Sequence, residues 1–225
     1  MIPELSKDAL SDRIAKNVAV LIDDATEPLV LNLGVGIPTL ISNYVTNENI
    51  FVQSESGMVG VGPLASKEQA LPELVNASRQ PVLETPGCCY VDSSTSFGMF
   101  RGGHIDVTVL GAFQVDKERN IANWVIPNGK QLGVGGAMDL VAGANKVIIA
   151  MAHTNGDQLK LVEKCTLPVT ALGKASIVVT QLAVFFFEQD GVFLKKLAPE
   201  ITVDELKEVT GFDFACAPDL EPMLV

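Results

Sequence analysis

Residues 29–38 have the sequence LVLNLGVGIP, and the prediction of the fold starts from them. The first five residues are almost all apolar, which is typical of a strand that is buried on both faces of a sheet. Gly34-Val35-Gly36 then permits a tight turn, and Pro38 suits the first turn of a helix, where its missing N–H would have no partner anyway. The stretch therefore predicts a strand, a glycine loop and a helix in succession.

The same order of elements recurs along the chain. Further apolar strands are predicted at residues 50–53, 105–110, 146–151 and 176–180, and helices at residues 8–24, 39–45, 137–144 and 202–209. Ser6 or Asp8 can cap the first helix, and Thr202 with Glu205 forms a capping box at the last one. Strands and helices in this arrangement predict a layered α/β/α fold with a mixed, mostly parallel sheet.

Two short polar turns indicate that part of the sheet is antiparallel. One lies at residues 116–120 and the other at Asp190-Gly191, each between two apolar runs. No repeat, low-complexity tract or linker interrupts the 225 residues, and a chain of this length fits one large core. We therefore expect a single domain over residues 1–225.

Composition excludes several classes of protein. The chain is 48% hydrophobic and 19% charged, which argues against disorder, and its net charge of -11 repels nucleic acid. The apolar run at residues 182–187 is far shorter than the ~20 residues of a membrane-spanning helix, and the N-terminus lacks a signal pattern. We expect a cytoplasmic protein with neither a nucleic-acid nor a membrane partner.

Metal and nicotinamide sites are also disfavoured. Cys88 and Cys89 are adjacent while Cys165 and Cys216 stand alone, so no metal-ligand spacing exists and buried free thiols are expected. Thr39 occupies the position where a dinucleotide-binding loop needs its third glycine. His104 and His153 lie beside predicted strands but belong to no nucleophile elbow or metal cluster, so we expect structural or supporting roles for them.

Two local patterns could carry chemistry. Glu55 follows a predicted buried strand and would project at the carboxyl end of the sheet, where open α/β sheets bind ligands. The loop Gly133-Val134-Gly135-Gly136 precedes a predicted helix, so its amides could point at developing negative charge. Taken alone, an acidic residue in such a turn is more often solvated, and an isolated GxGG more often serves packing.

Five segments in one order make the pattern specific. They are VLNLGVGIPTLISNYV (30–45), QSESGMVGVGP (53–63), SFGMFRGGHIDVTVLGAFQVD (96–116), NIANWVIP (120–127) and GVGGAMDLVAGANKVIIAMAHT (133–154). Together they closely resemble the β subunits of family I CoA-transferases, and most closely those that exchange CoA between butyrate or acetate and acetoacetate.

The resemblance implies a ping-pong mechanism through Glu55, which matches the family's nucleophilic glutamate. Glu55 would form a mixed acyl anhydride and then a glutamyl-CoA thioester, with CoA and acyl-CoA as substrates and no metal or redox cofactor. The resemblance assigns the Gly136 amide, with Gly135, to the oxyanion, and Asn32, Gly34 and Gly36 to the loop facing the nucleophile. It also implies a CoA-transferase α subunit as partner, in an α2β2 heterotetramer.

The sequence departs from the family pattern at two places, and two alternative functions are considered. Ser56 replaces the usual asparagine of the Ser-Glu-Asn-Gly turn, and residues 76–79 replace a stretch that more often carries paired glycines. A non-catalytic scaffold subunit is the rival from another class, and Glu55 argues against it. Sugar-phosphate isomerases share the fold group but need a basic phosphate pocket, whereas the glycine loop here has no Lys or Arg close by.

Overall fold

In the computed structural model, which describes residues 4–126, 130–131 and 133–225, a ten-stranded sheet forms the centre of the fold. Its order is β17-β16-β15-β14-β10-β5-β1-β2-β3-β4, and the remaining strands form a three-stranded sheet (β13-β6-β7) and two ribbons (β11-β12 and β8-β9). The strands, in chain order, are β1 (Leu29–Leu33), β2 (Ile50–Ser54), β3 (Met58–Leu64), β4 (Val82–Tyr90), β5 (Val107–Leu110), β6 (Gln114–Asp116), β7 (Ile121–Ala122), β8 (Val125–Ile126), β9 (Lys130–Gln131), β10 (Lys146–Ala150), β11 (Thr154–Asn155), β12 (Gln158–Leu159), β13 (Leu161–Val162), β14 (Ile177–Val179), β15 (Ala183–Glu188), β16 (Gly191–Leu197) and β17 (Ala215–Pro222).

The centre of the large sheet is parallel and its flanks are largely antiparallel. Strands β14, β10, β5, β1 and β2 run parallel to one another. Antiparallel pairs extend the sheet through β3 and β4 on one side and through β15 and β16 on the other. The predicted mixed, mostly parallel sheet is therefore confirmed, and both predicted hairpins form, β6-β7 and β15-β16.

Helices pack on the sheet in two groups. The α-helices are α1 (Lys7–Val20), α2 (Ser93–Arg101), α3 (Ala137–Gly143) and α4 (Val203–Glu208), and a 3-10 helix, η1, spans Ile37–Asn43. Helix α1 packs with η1 and against β10 and β14, whereas α2 and α3 pack on each other and α3 against β5. None of the helices in the described residues is long and apolar enough to cross a membrane.

Capping explains where two of the helices begin. The Ser6 hydroxyl accepts the Ala9 N–H at 3.2 Å, so Ser6 caps α1. Thr202 and Glu205 form the predicted capping box of α4, with side chain and backbone bonded in both directions. Both helices start where the sequence predicts, because a side-chain oxygen satisfies amide groups that have no intrahelical acceptor.

The helix predicted at residues 39–45 forms as the 3-10 helix η1 instead. Its backbone bonds close three residues back, as in Thr39 N–H to Gly36 C=O at 3.1 Å. The hydroxyls of Thr39 and Ser42 donate to the carbonyls of Gly36 and Thr39 at 2.7 and 3.0 Å. Since these hydroxyls compete for carbonyls that an α-helix would use, the tighter turn is favoured here.

The four cysteines are free, but the expectation that they are buried was wrong. Cys89 and Cys216 are exposed, and Cys88 and Cys165 are half-buried. Cys89 lies on β4 and Cys216 on β17, the two edge strands of the large sheet. Most side chains of these two edge strands are exposed or half-buried, and the cysteines share that exposure.

Candidate active site

A cavity of about 560 Å³ opens where four parallel strands end. Gly34, Glu55, Gly111 and Met151 follow the last residues of β1, β2, β5 and β10, and all four line this cavity. The chain leaves β1 for β2 on one side and later adds β5 on the other, so the cavity lies at a topological switch point. Ligands bind at such positions in open α/β sheets.

Glu55 sits in a tight turn that only a glycine at position 57 can close. The Gly57 N–H donates to the Ser54 carbonyl at 3.0 Å, and the Val91 N–H donates to the Gly57 carbonyl at 2.8 Å. Gly57 has φ +113°, and a Cβ there would lie 2.1 Å from the Val91 carbonyl oxygen. This close approach fixes the direction in which the Glu55 side chain leaves β2.

The Glu55 side chain is half-buried, and its carboxylate is incompletely hydrogen-bonded among the described residues. Its Oε2 is buried and has no hydrogen-bond partner among the described residues. Burial raises the pKa of Glu55, because the charged form is poorly solvated, while its own backbone N–H and the Asn32 amide act in the opposite direction. An unsatisfied buried carboxylate beside a cavity is a candidate nucleophile.

A chain of buried hydrogen bonds runs from the sheet to the backbone of Glu55. Thr108 donates to Asn32 at 2.7 Å, and Asn32 donates to the Gln53 side-chain oxygen at 2.9 Å. Gln53 donates to the Ser96 hydroxyl at 2.9 Å, which in turn donates to the Glu55 carbonyl at 2.9 Å. Register places the first three side by side on β5, β1 and β2, and all four side chains are buried. The chain therefore anchors the turn.

Gly135 and Gly136 line the same cavity as Glu55. Gly135 has φ +51°, and Gly136 immediately precedes α3. Among the described residues, neither amide N–H donates a hydrogen bond to an acceptor. The cavity is thus lined by a carboxylate with one oxygen that lacks a partner, and by two glycines whose N–H groups lack an acceptor, among the residues that the structure describes.

The other residues of the predicted site occupy different positions. Gly34 lines the cavity, and its N–H donates to the Val109 carbonyl at 2.9 Å. Gly36 donates its N–H to the Ser78 hydroxyl at 2.9 Å, and its neighbours Val35 and Ile37 line the cavity in its place. Asn32 lies fully buried within the hydrogen-bonded chain beneath the turn.

Sequence reasoning missed three supporting groups and one charged group. The supporting groups are Gln53, Ser96 and Thr108, and the charged group is Lys160, which lines the cavity. For Ser96 a signal existed, since Asp92 is a good N-cap and does accept the Thr95 N–H at 2.7 Å. For Lys160 no such signal existed, because its place at the cavity depends on how the short β11-β12 ribbon turns the chain back.

The two histidines differ in environment. His104 is exposed, whereas His153 is fully buried and hydrogen-bonds through both ring nitrogens, to Thr180 at 3.0 Å and Thr210 at 3.1 Å. Burial lowers the pKa of His153 to about 4. Within the described ranges, no group of three His, Cys, Asp or Glu side chains is arranged to hold a metal ion.

Comparison with known proteins gives the site a context. The family described as Coenzyme A transferase matches residues 12–209. An acetate CoA-transferase subunit beta from Haemophilus influenzae is 44% identical over 214 residues, covering 94% of this chain and 94% of the relative. A rat protein, succinyl-CoA:3-ketoacid coenzyme A transferase 2A, mitochondrial, is 41% identical over 221 residues. This chain covers 96% of its own length in that match but spans only 42% of the rat protein.

Solved structures share the fold at lower identity. An acyl-CoA transferase (YdiF) from Escherichia coli O157:H7, in its apoenzyme form, superposes with a TM-score of 0.76 at 20% identity. The match covers 100% of this chain and 45% of the YdiF chain. At this identity the likeness shows a common fold alone. The fold of this chain corresponds to less than half of the YdiF chain.

Proposed function

Because the chain belongs to the coenzyme A transferase family, we propose that it is the β subunit of a two-subunit enzyme that moves CoA between a short-chain acyl-CoA and acetoacetate. The donor would be butyryl-CoA or acetyl-CoA. The observation that carries the proposal is the Glu55 carboxylate, which lines a cavity at the carboxyl ends of four strands and whose buried Oε2 has no hydrogen-bond partner among the described residues.

In the proposed reaction the Glu55 carboxylate attacks the thioester carbonyl of the donor. The C–S bond breaks, CoA leaves as a thiolate, and a mixed anhydride joins Glu55 to the acyl group. The thiolate then attacks the Glu55 carbonyl of the anhydride, which releases the donor acid and leaves a glutamyl-CoA thioester. The acceptor acid reverses these steps, so neither metal nor redox chemistry is required.

Burial of Glu55 supports its role as a nucleophile. A half-buried carboxylate with an oxygen that lacks a partner among the described residues is less stabilised by solvent than an exposed one, so less solvation must be removed before it attacks. The hydrogen-bonded chain through Ser96 holds the backbone of the turn while the side chain reacts. We assign Gly34, which lines the cavity, to contact with the thioester, and Asn32 to the buried chain that holds the Glu55 turn. We assign Gly36, whose N–H is bonded to Ser78, to keeping the shape of the loop that contains Gly34.

Each attack produces a tetrahedral oxyanion, and we assign its stabilisation to the amides of Gly136 and Gly135. Both line the Glu55 cavity, and neither has an acceptor among the described residues. Preorganised donors of this kind act on charge that develops only in the transition state. Each donor of this kind is worth ~3–4 kcal/mol in the barrier.

A CoA-transferase α subunit is the proposed partner, in an α2β2 heterotetramer. The two-subunit relative is a β chain of nearly the same length, whereas the rat relative is more than twice as long as this chain. Val35, which lines the cavity, is 63% exposed, and Met138, the residue after the cavity residue Ala137, is 48% exposed. Exposed large apolar side chains favour coverage by another protein surface.

A second candidate is the same chemistry with a succinate/3-oxoacid pair. The segment around Glu55, residues 51–64, contains no Lys or Arg to neutralise a second carboxylate. Lys160, however, lines the same cavity although it lies in a distant part of the chain. That observation favours an acceptor acid with a keto or carboxylate oxygen besides its reacting carboxylate, and it keeps succinate as a candidate.

The covalent intermediate provides the test. The chain, reconstituted with its α subunit and incubated with acyl-CoA in the absence of an acceptor acid, is expected to gain a CoA adduct on the peptide that contains Glu55. Peptide mass spectrometry would detect the adduct, and acetoacetate should discharge it. CoA on another residue, or no adduct in an enzyme that turns over, would contradict the mechanism.

A further inference from the structure

Lys160 is the one lysine or arginine among the described residues that line the Glu55 cavity. It also lines a second cavity of about 650 Å³, which shares Phe113 and Ala152 with the first. Lys160 lies between β12 and β13, at the point where the two cavities adjoin. The same lysine therefore lines both cavities.

The Lys160 ammonium has no counter-ion in the part of the chain that the structure describes. Its side chain takes part in none of the ion pairs found there, whereas the buried Arg13 pairs with Glu200 at 2.6 Å. Burial lowers the pKa of Lys160 to about 8. His153, the ionisable group coupled to it electrostatically, is neutral at pH 7 and offers no negative charge.

The rest of the cavity wall is mostly apolar. Leu110, Ala112, Phe113 and Met151 line it between the strand ends. An acid that reacts with Glu55 would lay its carbon chain along this wall. If that chain were purely alkyl, it would displace water from the Lys160 ammonium without replacing the lost hydrogen bonds, which is costly for a charged group.

We propose that Lys160 selects acids that carry an oxygen acceptor beyond the reacting carboxylate. The acceptor is either the keto oxygen of a 3-oxoacid or the second carboxylate of a dicarboxylic acid. This inference rests on the proposed function, since it needs Glu55 to exchange acids in this cavity. Butyrate has the chain length of acetoacetate without the keto oxygen, so it can still react with Glu55, as the proposed donor butyryl-CoA requires, but it makes no contact with the ammonium.

The test compares kcat/KM for acetoacetate, succinate and butyrate in the reconstituted enzyme, with wild-type chain and with Lys160→Met. We expect a loss of about 10- to 100-fold for acetoacetate, succinate or both, and little change for butyrate. A loss for acetoacetate alone assigns the keto oxygen, and a loss for succinate alone assigns the carboxylate. An equal loss for all three acids, or none, overturns the proposal.

Control variants separate charge from packing. Lys160→Arg should keep the preference for oxygen-bearing acids, and Lys164→Met, which removes an exposed lysine four residues away, should change nothing. If Lys160→Met fails to fold, Lys160→Gln tests the same loss of charge with a polar side chain. A wild-type enzyme inactive with every acid would sink the proposed function, whereas an active enzyme whose selectivity survives Lys160→Met and Lys160→Gln would sink this inference alone.

Discussion

Glu55, which is half-buried with a buried Oε2, and His153, which is fully buried, are two ionisable side chains near the same edge of the sheet, and their hydrogen bonding differs. Glu55 follows β2 and keeps an oxygen without a partner among the described residues. His153 follows β10, and both of its ring nitrogens are hydrogen-bonded to threonine hydroxyls. One group faces a cavity with unused bonding capacity, and the other is closed off within the core.

The comparison separates reactivity from stability. Burial disfavours the charged form in both cases, so it raises the pKa of Glu55 and lowers the pKa of His153 to about 4. Neutral His153 is fully satisfied at pH 7, and it therefore stabilises the fold. Ionised Glu55 is not satisfied, so it costs stability and retains its capacity to bond with a substrate.

The largest expected effect is the loss of transfer in Glu55→Gln, on the order of 10⁴-fold or more in kcat, since removing a nucleophile abolishes the covalent route. Glu55→Ala should be equally inactive and folded. Steady-state kinetics of the reconstituted enzyme would measure the loss, with Glu48→Gln as the matched change of an exposed glutamate seven residues away. Turnover of a folded Glu55→Gln enzyme near the wild-type rate would show that Glu55 is not the nucleophile.

The same variant should be more stable than the wild type at neutral pH. Because the folded-state pKa of Glu55 lies above its unfolded value of 4.5, folding favours the protonated form. That contribution is present below the unfolded pKa and is lost as pH rises through the folded pKa. Glu55→Gln should thus raise the Tm at pH 7 and raise it less at pH 4, which thermal unfolding at the two pH values would check.

A smaller but still large loss is expected when an oxyanion donor is removed. Gly136→Pro deletes the amide N–H, and we expect kcat to fall about 10²- to 10³-fold. Gly136→Ala is the matched control, because it keeps the N–H while adding a Cβ that would lie 3.0 Å from the Phe97 ring. If the alanine variant loses as much activity as the proline variant, packing explains the loss and the donor role is wrong.

For His153 the expected effect is on stability, with its sign set by the lowered pKa. The unfolded chain binds a proton near pH 6.5 and the folded chain only near pH 4, so stability is lost as pH falls from about 6.5 to about 4. The total amounts to about 3 kcal/mol. Urea unfolding should show this loss in the wild type and a flatter profile in His153→Gln, while His104→Gln, at the exposed histidine, should retain the wild-type slope.

The fold was largely predictable from the sequence where a single local pattern, such as an apolar run or a capping residue, determines a strand or a helix. Apolar runs marked β1, β2, β5, β10 and β14, and capping residues marked α1 and α4. Strands β3 and β4 were missed because Gly60, Gly62 and Pro63 in one, and Pro86 with Gly87 in the other, are typical of turns. They form strands nonetheless, since β2 supplies an edge on which they pair.

The site was predictable only in part, because only some of its residues belong to a local sequence pattern. Glu55 and the glycine loops carry local signals, because a turn after a strand has a recognisable composition. Lys160 and Thr108 carry none, since their proximity to the Glu55 turn depends on strand order and register across 50 or more residues of chain. Such contacts follow from the assembled sheet rather than from any short pattern.

The smallest effect concerns Ser96, which donates to the Glu55 carbonyl at 2.9 Å and accepts from Gln53 at 2.9 Å. Ser96→Ala leaves both partners buried without their bond, and we expect a loss of about 1–3 kcal/mol in stability. Since the Glu55 turn then loses one anchor, kcat should fall about tenfold with KM little changed. Ser93→Ala, at an exposed position on the same helix, is the control. A stability loss with unchanged kcat would make Ser96 structural, like His153, and would limit the reactive centre to the Glu55 side chain.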